Sequence, residues 1–194
     1  MNLELREVSK AYGDNAVLVR FSHAFPAGRV TAVEGRSGCG NTTLLRLIAG
    51  LEAADGGSIR GVPEDGISMV FQEDRLPPQL SAANCLRCVL KKSPSREGRI
   101  AEALAALGLS EVSGQSVRAF SGGMRRRVAL ARALLFPSPL VLLDEPFKGL
   151  DTDTRRRAVD FTLSALAGRT TLLVTHDPGD VADFGGTELR LRGM

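Results

Sequence analysis

The residues of this sequence best equipped for chemistry lie at a few places where glycines, hydroxyls and carboxylates gather. The first is GRSGCGNTT, in which Gly35, Gly38 and Gly40 alternate with Ser37, Cys39, Asn41, Thr42 and Thr43. Glycine has no Cβ, so such a loop can turn its backbone N–H groups inward at a spacing that wraps phosphate oxygens. A helix opening at Thr42 would add its N-terminal partial positive charge at the same point. The pattern G-x-x-x-x-G-K-[ST] calls for lysine where this chain has Asn41, which keeps a donor and loses the charge. A second anion-binding helix start is Ser121-Gly122-Gly123: Ser121 is a natural N-cap, and the two glycines leave backbone amides accessible. A third place is the acid pair Asp144-Glu145. Asp144 is suited to hold magnesium, directly or through water, because hard cations take carboxylate oxygens. Glu145 is then placed to act as general base toward a water.

These groups need elements to hold them. Residues 30–33 are a β-branched run that stops at the glycine loop, and residues 44–49 are an apolar helical run that follows it, so the layout is strand, loop, helix. Residues 140–143 form a continuous apolar run, as expected of a parallel strand buried on both faces, and it delivers Asp144 and Glu145 to the carboxyl end where open α/β sheets bind ligands. Residues 170–175 form another such strand, ending at His176. A histidine there is equally a structural or a functional residue. Earlier in the chain, Leu3, Leu5 and Val8 mark a half-buried strand and residues 16–25 a second. Tyr12 lies on the loop between them, where it can either pack or stack on a base.

Short strands are predicted over 58–60, after a turn at 53–57, and over 66–71, the latter ending at Gln72. Residues 73–78 are an extended loop, since Pro77-Pro78 cannot enter a helix interior. Helices are predicted over 81–90, 100–107 and 124–136, with a polar linker over 91–98. A short helix starts at Asp177-Pro178, and a strand over 188–191 closes the sheet. The fold class is α/β, with a mainly parallel sheet, an N-terminal antiparallel part and a helical subdomain inserted at about 79–136 of a single domain spanning 1–194.

Composition removes several classes of function. A chain of 194 residues, 43% hydrophobic, can bury one good core. A net charge of +3 with both signs interspersed argues against nucleic acid as a partner, and Arg125-Arg126-Arg127 and Arg155-Arg156-Arg157 are read as solvated helix faces. No stretch approaches the roughly 18 apolar residues that span a bilayer, and the N-terminus has no signal-peptide core, so a cytosolic protein is expected. Three cysteines argue for reduced thiols. The C-x-x-C of Cys85 and Cys88 has no second pair to complete a zinc site.

The order of these pieces resembles the nucleotide-binding subunit of ABC transporters over almost the whole chain. GRSGCGNTT looks like the Walker A loop, FQEDR the Q-loop and FSGGMRRRVALARAL the signature motif with its helix. LVLLDEP looks like Walker B with its glutamate, FKGLD the D-loop and VTHD the histidine switch. The resemblance implies a P-loop NTPase fold and a head-to-tail dimer, in which ATP with Mg2+ lies between the Walker A loop of one subunit and the signature of a second ATP-binding subunit. It further implies that Tyr12 stacks on adenine, that Gly38, Gly40, Thr42 and Thr43 hold phosphates and magnesium, and that Gln72 senses magnesium and the attacking water. Ser121, Gly122 and Gly123 would cap the γ-phosphate of the partner's nucleotide. Asp144 would hold magnesium, Glu145 polarise water, Asp151 couple the two sites and His176 touch the γ-phosphate.

Such a subunit works peripherally on the inner face of the cell membrane, driving a separate permease. EDRLPPQL looks most like the importer ATPases of the nitrate, sulfonate and taurine type, with Gln79 in place of that loop's usual aromatic. The regulatory C-terminal domain of some importer ATPases is not expected. Asn41 leaves open the alternative of a hydrolysis-impaired regulatory or structural subunit. A cytosolic ABC protein of repair or translation would bring tandem domains or coiled-coil insertions.

Overall fold

Strand β1 (Leu3–Tyr12) turns Leu3, Leu5 and Val8 inward. Strict alternation would bring the third of these at position 7, so the strand carries a bulge. Its register against β2 (Asn15–Phe25) shifts between Leu5 and Val8, with Glu7 at φ 48°. β4 (Gly56–Arg60) pairs on the other edge of β1, giving an antiparallel sheet of order β2-β1-β4. The strand expected over 58–60 thus reaches back through Gly56 and Gly57, which composition had marked as a turn. A Cβ on Gly57 would collide with the Arg6 carbonyl, so here glycine admits a neighbouring strand instead of ending one. The computed structural model describes residues 2–35 and 38–191.

Four strands run parallel in the order β6-β7-β3-β8: β3 (Val30–Glu34), β6 (Leu140–Asp144), β7 (Thr170–Val174) and β8 (Thr187–Arg190). β6 and β7 are buried along their whole length, as their apolar runs predict. β8 starts one residue before the expected 188 and stays largely exposed, because it pairs only along β3. These two sheets, α1 (Asn41–Ile48) and α6 (Pro178–Phe184) belong to a unit built from Met1–Ile67, Ser138–Asp144 and Gly168–Met194. Helix α1 begins one residue earlier than Thr42.

A second unit comprises Ser68–Pro137 and Glu145–Ala167. It takes in more than the helices expected over about 79–136, since it also contains β5 (Ser68–Val70) and α5 (Thr152–Leu166). Its α2 (Ala82–Arg87) is shorter than the predicted 81–90, and the Ser81 hydroxyl caps it by accepting from the Asn84 amide at 3.2 Å. α3 (Arg96–Ala106) starts inside the segment expected to be a linker. Its first turn is polar and so invisible to apolar periodicity, but Glu97 pairs with Arg87 at 2.6 Å. α4 (Gly122–Leu135) begins two residues earlier than predicted, so both glycines after Ser121 are helical. Ile100, Leu104 and Leu107, together with Leu86, Val128 and Leu130, are buried apolar side chains of this unit's interior.

One expectation fails outright. The run Arg125-Arg126-Arg127 is not a solvated face: Arg126 is 4% exposed. It lies on the same helical stripe as Leu130 and Leu134, which is where periodicity puts inward side chains.

Candidate phosphate-binding site

In the first unit, β3 ends at Glu34 and the chain turns through Gly38 and Gly40 into α1. Gly38 has φ 85° and Gly40 φ 102°, both in the left-handed region. A Cβ on Gly40 would in addition stand 2.6 Å from Val17 Cγ1. Gly40 is the N-cap of α1 and supplies no side-chain cap, and the first turn has no acidic residue. The other three helices of eight or more residues begin differently: Ser95, Ser121 and Asp151 precede α3, α4 and α5, and the last two accept a hydrogen bond from the helix. The start of α1, with neither a side-chain cap nor an acid in its first turn, is therefore electrostatically suited to an anion. Ser37, predicted in this loop, lies outside the described residues.

The Asn41 side chain is turned back into the loop. It is 7% exposed, its Nδ2 donates to the Gly35 carbonyl at 3.4 Å, and its Oδ1 accepts from the Cys39 thiol at 3.3 Å. The amide links the two ends of the loop from inside, and Cys39 is buried with it. One turn on, the Thr42 hydroxyl donates to Asp144 Oδ2 at 2.9 Å, and Asp144 is 2% exposed at the carboxyl end of β6. A hydroxyl and a carboxylate separated by 102 positions in the chain meet beside the helix start. Both offer hard oxygens, the donor type that Mg2+ takes.

Tyr12 is the last residue of β1, paired with Asn15, and not on the expected loop, because the hairpin turn is shorter; it is 46% exposed, so it is not core packing. Its hydroxyl donates to Glu52 and lies 3.5 Å from Thr43 Oγ1, while Lys10 Nζ stands 5.5 Å from its ring centroid. Lys10 is held in turn by Asp55 at 2.9 Å. His176 is exposed just past β7. Behind it, the buried Thr175 hydroxyl donates to the buried Asp180 carboxylate and accepts from the Asp177 amide at 3.1 Å. Thus Gly35, Cys39 and Asn41 come together, as do Thr42 with Asp144 and Tyr12 with Thr43.

The second unit carries the remaining predicted residues. Ser121 Oγ accepts from the Met124 amide at 3.3 Å, and a Cβ on Gly122 would meet nothing within 4 Å, so the start of α4 is open above its glycine. Gln72 is exposed. Glu145 sits at φ 47°, and its Oε2 pairs with Lys148 Nζ at 2.6 Å, the glutamate side chain 13% exposed and the lysine 61%. Asp151 caps α5 by accepting from the Thr154 amide at 3.0 Å, and that bond holds its carboxyl below the ordinary value. Burial pushes the Cys85 thiol up, which disfavours the thiolate that redox or zinc chemistry needs. Among the described residues no group of three or more His, Cys, Asp or Glu could hold a metal ion.

Sequence reasoning missed Arg126, Lys148 and the Thr175–Asp180 pair. Arg126 had a signal, its place on the apolar stripe of α4; the partners of the other two follow from loop geometry that periodicity does not carry.

The family model described as "ABC transporter" matches residues 18–148. The chain belongs to the ABC transporter family. The family gives it its activity, ATP binding and hydrolysis as a transporter subunit. Similar to this ABC chain is the aliphatic sulfonates import ATP-binding protein SsuB of Escherichia coli (strain K12), 44% identical over 184 residues, covering 90% of this chain and 71% of that protein. SsuB 2 of Burkholderia lata is 38% identical over 197 residues, covering 97% and 72%. Among solved structures, the dimeric post-hydrolysis state of the ATP-binding cassette MJ0796 bound to ADP and Pi matches with a TM-score of 0.86 at 25% identity, covering 98% of this chain and 94% of that one. A second dimeric structure of MJ0796 matches with a TM-score of 0.85 at 26% identity, covering 97% and 94%.

Proposed function

We propose that this ABC chain is the ATPase of a sulfonate-type importer, working on the inner face of the cell membrane and driving a separate permease through a head-to-tail dimer with a second ATP-binding subunit. The observation that carries the nucleotide site is the Thr42–Asp144 pair beside the uncapped start of α1. The names of the relatives, which import aliphatic sulfonates, support the solute class, and the dimeric cassette structures support the second subunit. Among the described residues no helix is long and apolar enough to cross a membrane, which fits a permease on another chain.

In this reading residues 1–194 act as one ATP-binding domain. The N–H groups at the start of α1 bind the phosphates, with Gly38 and Gly40 giving the loop its shape and Thr43 beside them. Tyr12, tethered through its hydroxyl, offers its ring to adenine. Thr42 and Asp144 hold Mg2+, which neutralises phosphate charge when bound; Gln72 senses it. Glu145 exchanges Lys148 for the attacking water and polarises that water, while His176 touches the γ-phosphate. Ser121, Gly122 and Gly123 cap the γ-phosphate of the partner's nucleotide, and Asp151 couples the two sites. ATP thus closes the dimer and hydrolysis reopens it.

The test is Glu145→Gln, which keeps the shape of the side chain and removes its basicity. With saturating ATP and Mg2+ the variant is expected to elute as a dimer in size-exclusion chromatography and to hold its nucleotide. A variant that stays monomeric under these conditions overturns the sandwich mechanism.

A further inference from the structure

Arg126 is a buried cation that the proposed chemistry does not use, yet it touches both segments from which that chemistry comes. Its Nη1 donates to the Phe71 carbonyl at 2.6 Å and lies 3.3 Å from Asp74 Oδ1. Its Nη2 donates to the Glu145 carbonyl at 2.7 Å. Phe71 contributes the carbonyl of the peptide group whose nitrogen belongs to Gln72, and Glu145 the carbonyl of the group shared with Pro146. One guanidinium therefore fixes the peptide planes next to both side chains. All four residues belong to the second unit.

Three features argue that this is positioning and not incidental packing. Glu145 has φ 47°, a left-handed angle that a residue with a Cβ keeps only when its surroundings hold it. Its carbonyl accepts from Arg126 and from the Lys148 amide at 3.2 Å, and these two bonds contribute to holding it. Next, burying a guanidinium is costly unless its donors are satisfied, and here the acceptors that offset the cost are the carbonyls beside Gln72 and of Glu145. Finally, the two acceptors are 74 positions apart in the chain, and only a rigid planar fork reaches both at once. Helix α4 reinforces the grip further along, where Arg132 Nη1 donates to the Arg75 carbonyl at 2.9 Å.

We infer that Arg126 is a positioning residue for ATP hydrolysis, setting Gln72 and Glu145 in register with each other from the signature helix. The inference rests on the roles proposed above for those two residues. It follows that Arg126→Lys, which keeps charge but loses the fork, and Arg126→Gln, which loses both, lower turnover while leaving nucleotide binding in place.

The experiment measures thermal unfolding, ATP affinity by calorimetry, and kcat and KM for ATP in both variants, each made in the native chain and in an Asn41→Lys background. The expected result is a kcat lowered between about tenfold and a hundredfold, as for an ångström-scale misplacement of reacting groups, with KM and ATP affinity within about threefold of the parent. In a Gln72→Ala background the penalty of Arg126→Gln is expected to shrink by at least about threefold, because one of the groups it positions has gone. Unchanged kcat in both variants overturns the inference, as does a joint fall of kcat, ATP affinity and melting temperature, or full additivity with Gln72→Ala. Glu145→Gln and Gln72→Ala variants that each keep full turnover refute the proposed roles themselves, whatever the Arg126 variants do, and the inference falls with them.

Discussion

Replacing Asn41 by lysine restores the one residue that the phosphate loop lacks, and the structure sets the size of the effect. The substitution removes two hydrogen bonds, Asn41 Nδ2 to the Gly35 carbonyl at 3.4 Å and the Cys39 thiol to Asn41 Oδ1 at 3.3 Å. Both are long and neutral, so their loss costs about 1 kcal/mol. The lysine ammonium would donate to the β- and γ-phosphates, a charge-assisted bond contributing about 1.5–3 kcal/mol. The loop bonds are absent from the free and the ATP-bound variant alike, so their loss acts on stability, and the charge-assisted bond alone corresponds to roughly ten- to 150-fold tighter ATP binding. Calorimetric titration with ATP and Mg2+ measures the affinity, and phosphate release measures turnover, which should rise in the same direction. Asn41→Ala separates charge from loop structure: it removes the internal link without adding a cation, and its ATP affinity should stay within about fivefold of the native chain. If Asn41→Lys binds no tighter and turns over no faster, a lysine at this position does not reach the phosphates and Asn41 is not what limits the site.

Two further predictions concern single contacts. Lys148 covers the Glu145 carboxylate through an ion pair whose lysine is 61% exposed, so its strength falls within the range of about 0.2–1 kcal/mol of surface pairs. Lys148→Ala should therefore release Glu145 toward water and raise turnover by about 1.4- to fivefold; a fall in turnover would instead give Lys148 a direct part in the reaction. His23 lies between Phe21, stacked at 6.2 Å, and Phe25, edge-on at 4.6 Å, and burial lowers its pKa from the ordinary 6.5. The unfolded chain then binds the proton more readily, so the His23 contribution is complete above 6.5 and is lost as pH falls through the depressed folded value. Melting curves from neutral to mildly acidic pH should show the native chain losing more stability than His23→Phe; parallel curves would remove His23 from the account.

How much of this was written in the sequence depends on whether a residue's partners lie nearby in the chain. The strand, glycine loop and helix around Gly35 to Ile48 were legible because glycine spacing and apolar periodicity are local signals, and Asp144 was legible because an apolar run ended in it. The meeting of Thr42 with Asp144 could be expected from the resemblance of the motifs, but not from spacing, since 102 positions separate them. The first turn of α3 and the glycine start of β4 were missed for a simpler reason. Polar residues and glycines carry no apolar period, and what fixes them are Glu97 on Arg87 and the closeness of Gly57 to Arg6.

Arg126 shows why a charge run should be weighed residue by residue. Three consecutive arginines on a helix point in directions about 100° apart, so they cannot share one face. Arg125 donates to the Phe120 carbonyl and Arg127 to the Leu107 carbonyl at 2.6 Å, each holding a neighbouring loop from its side of α4. Arg126, between them, is the one carried onto the stripe of Leu130 and Leu134, and burial forces it to find acceptors. Backbone carbonyls at 71 and 145 satisfy it. Helical geometry thus brings a buried arginine to two carbonyls that belong to the segments of Gln72 and Glu145, and through those two bonds its guanidinium acts on the site. The same geometry makes its loss specific: an apolar side chain at 126 takes the Arg126 donor from both carbonyls, leaving the Glu145 carbonyl its bond from the Lys148 amide, while the rest of α4 keeps its packing.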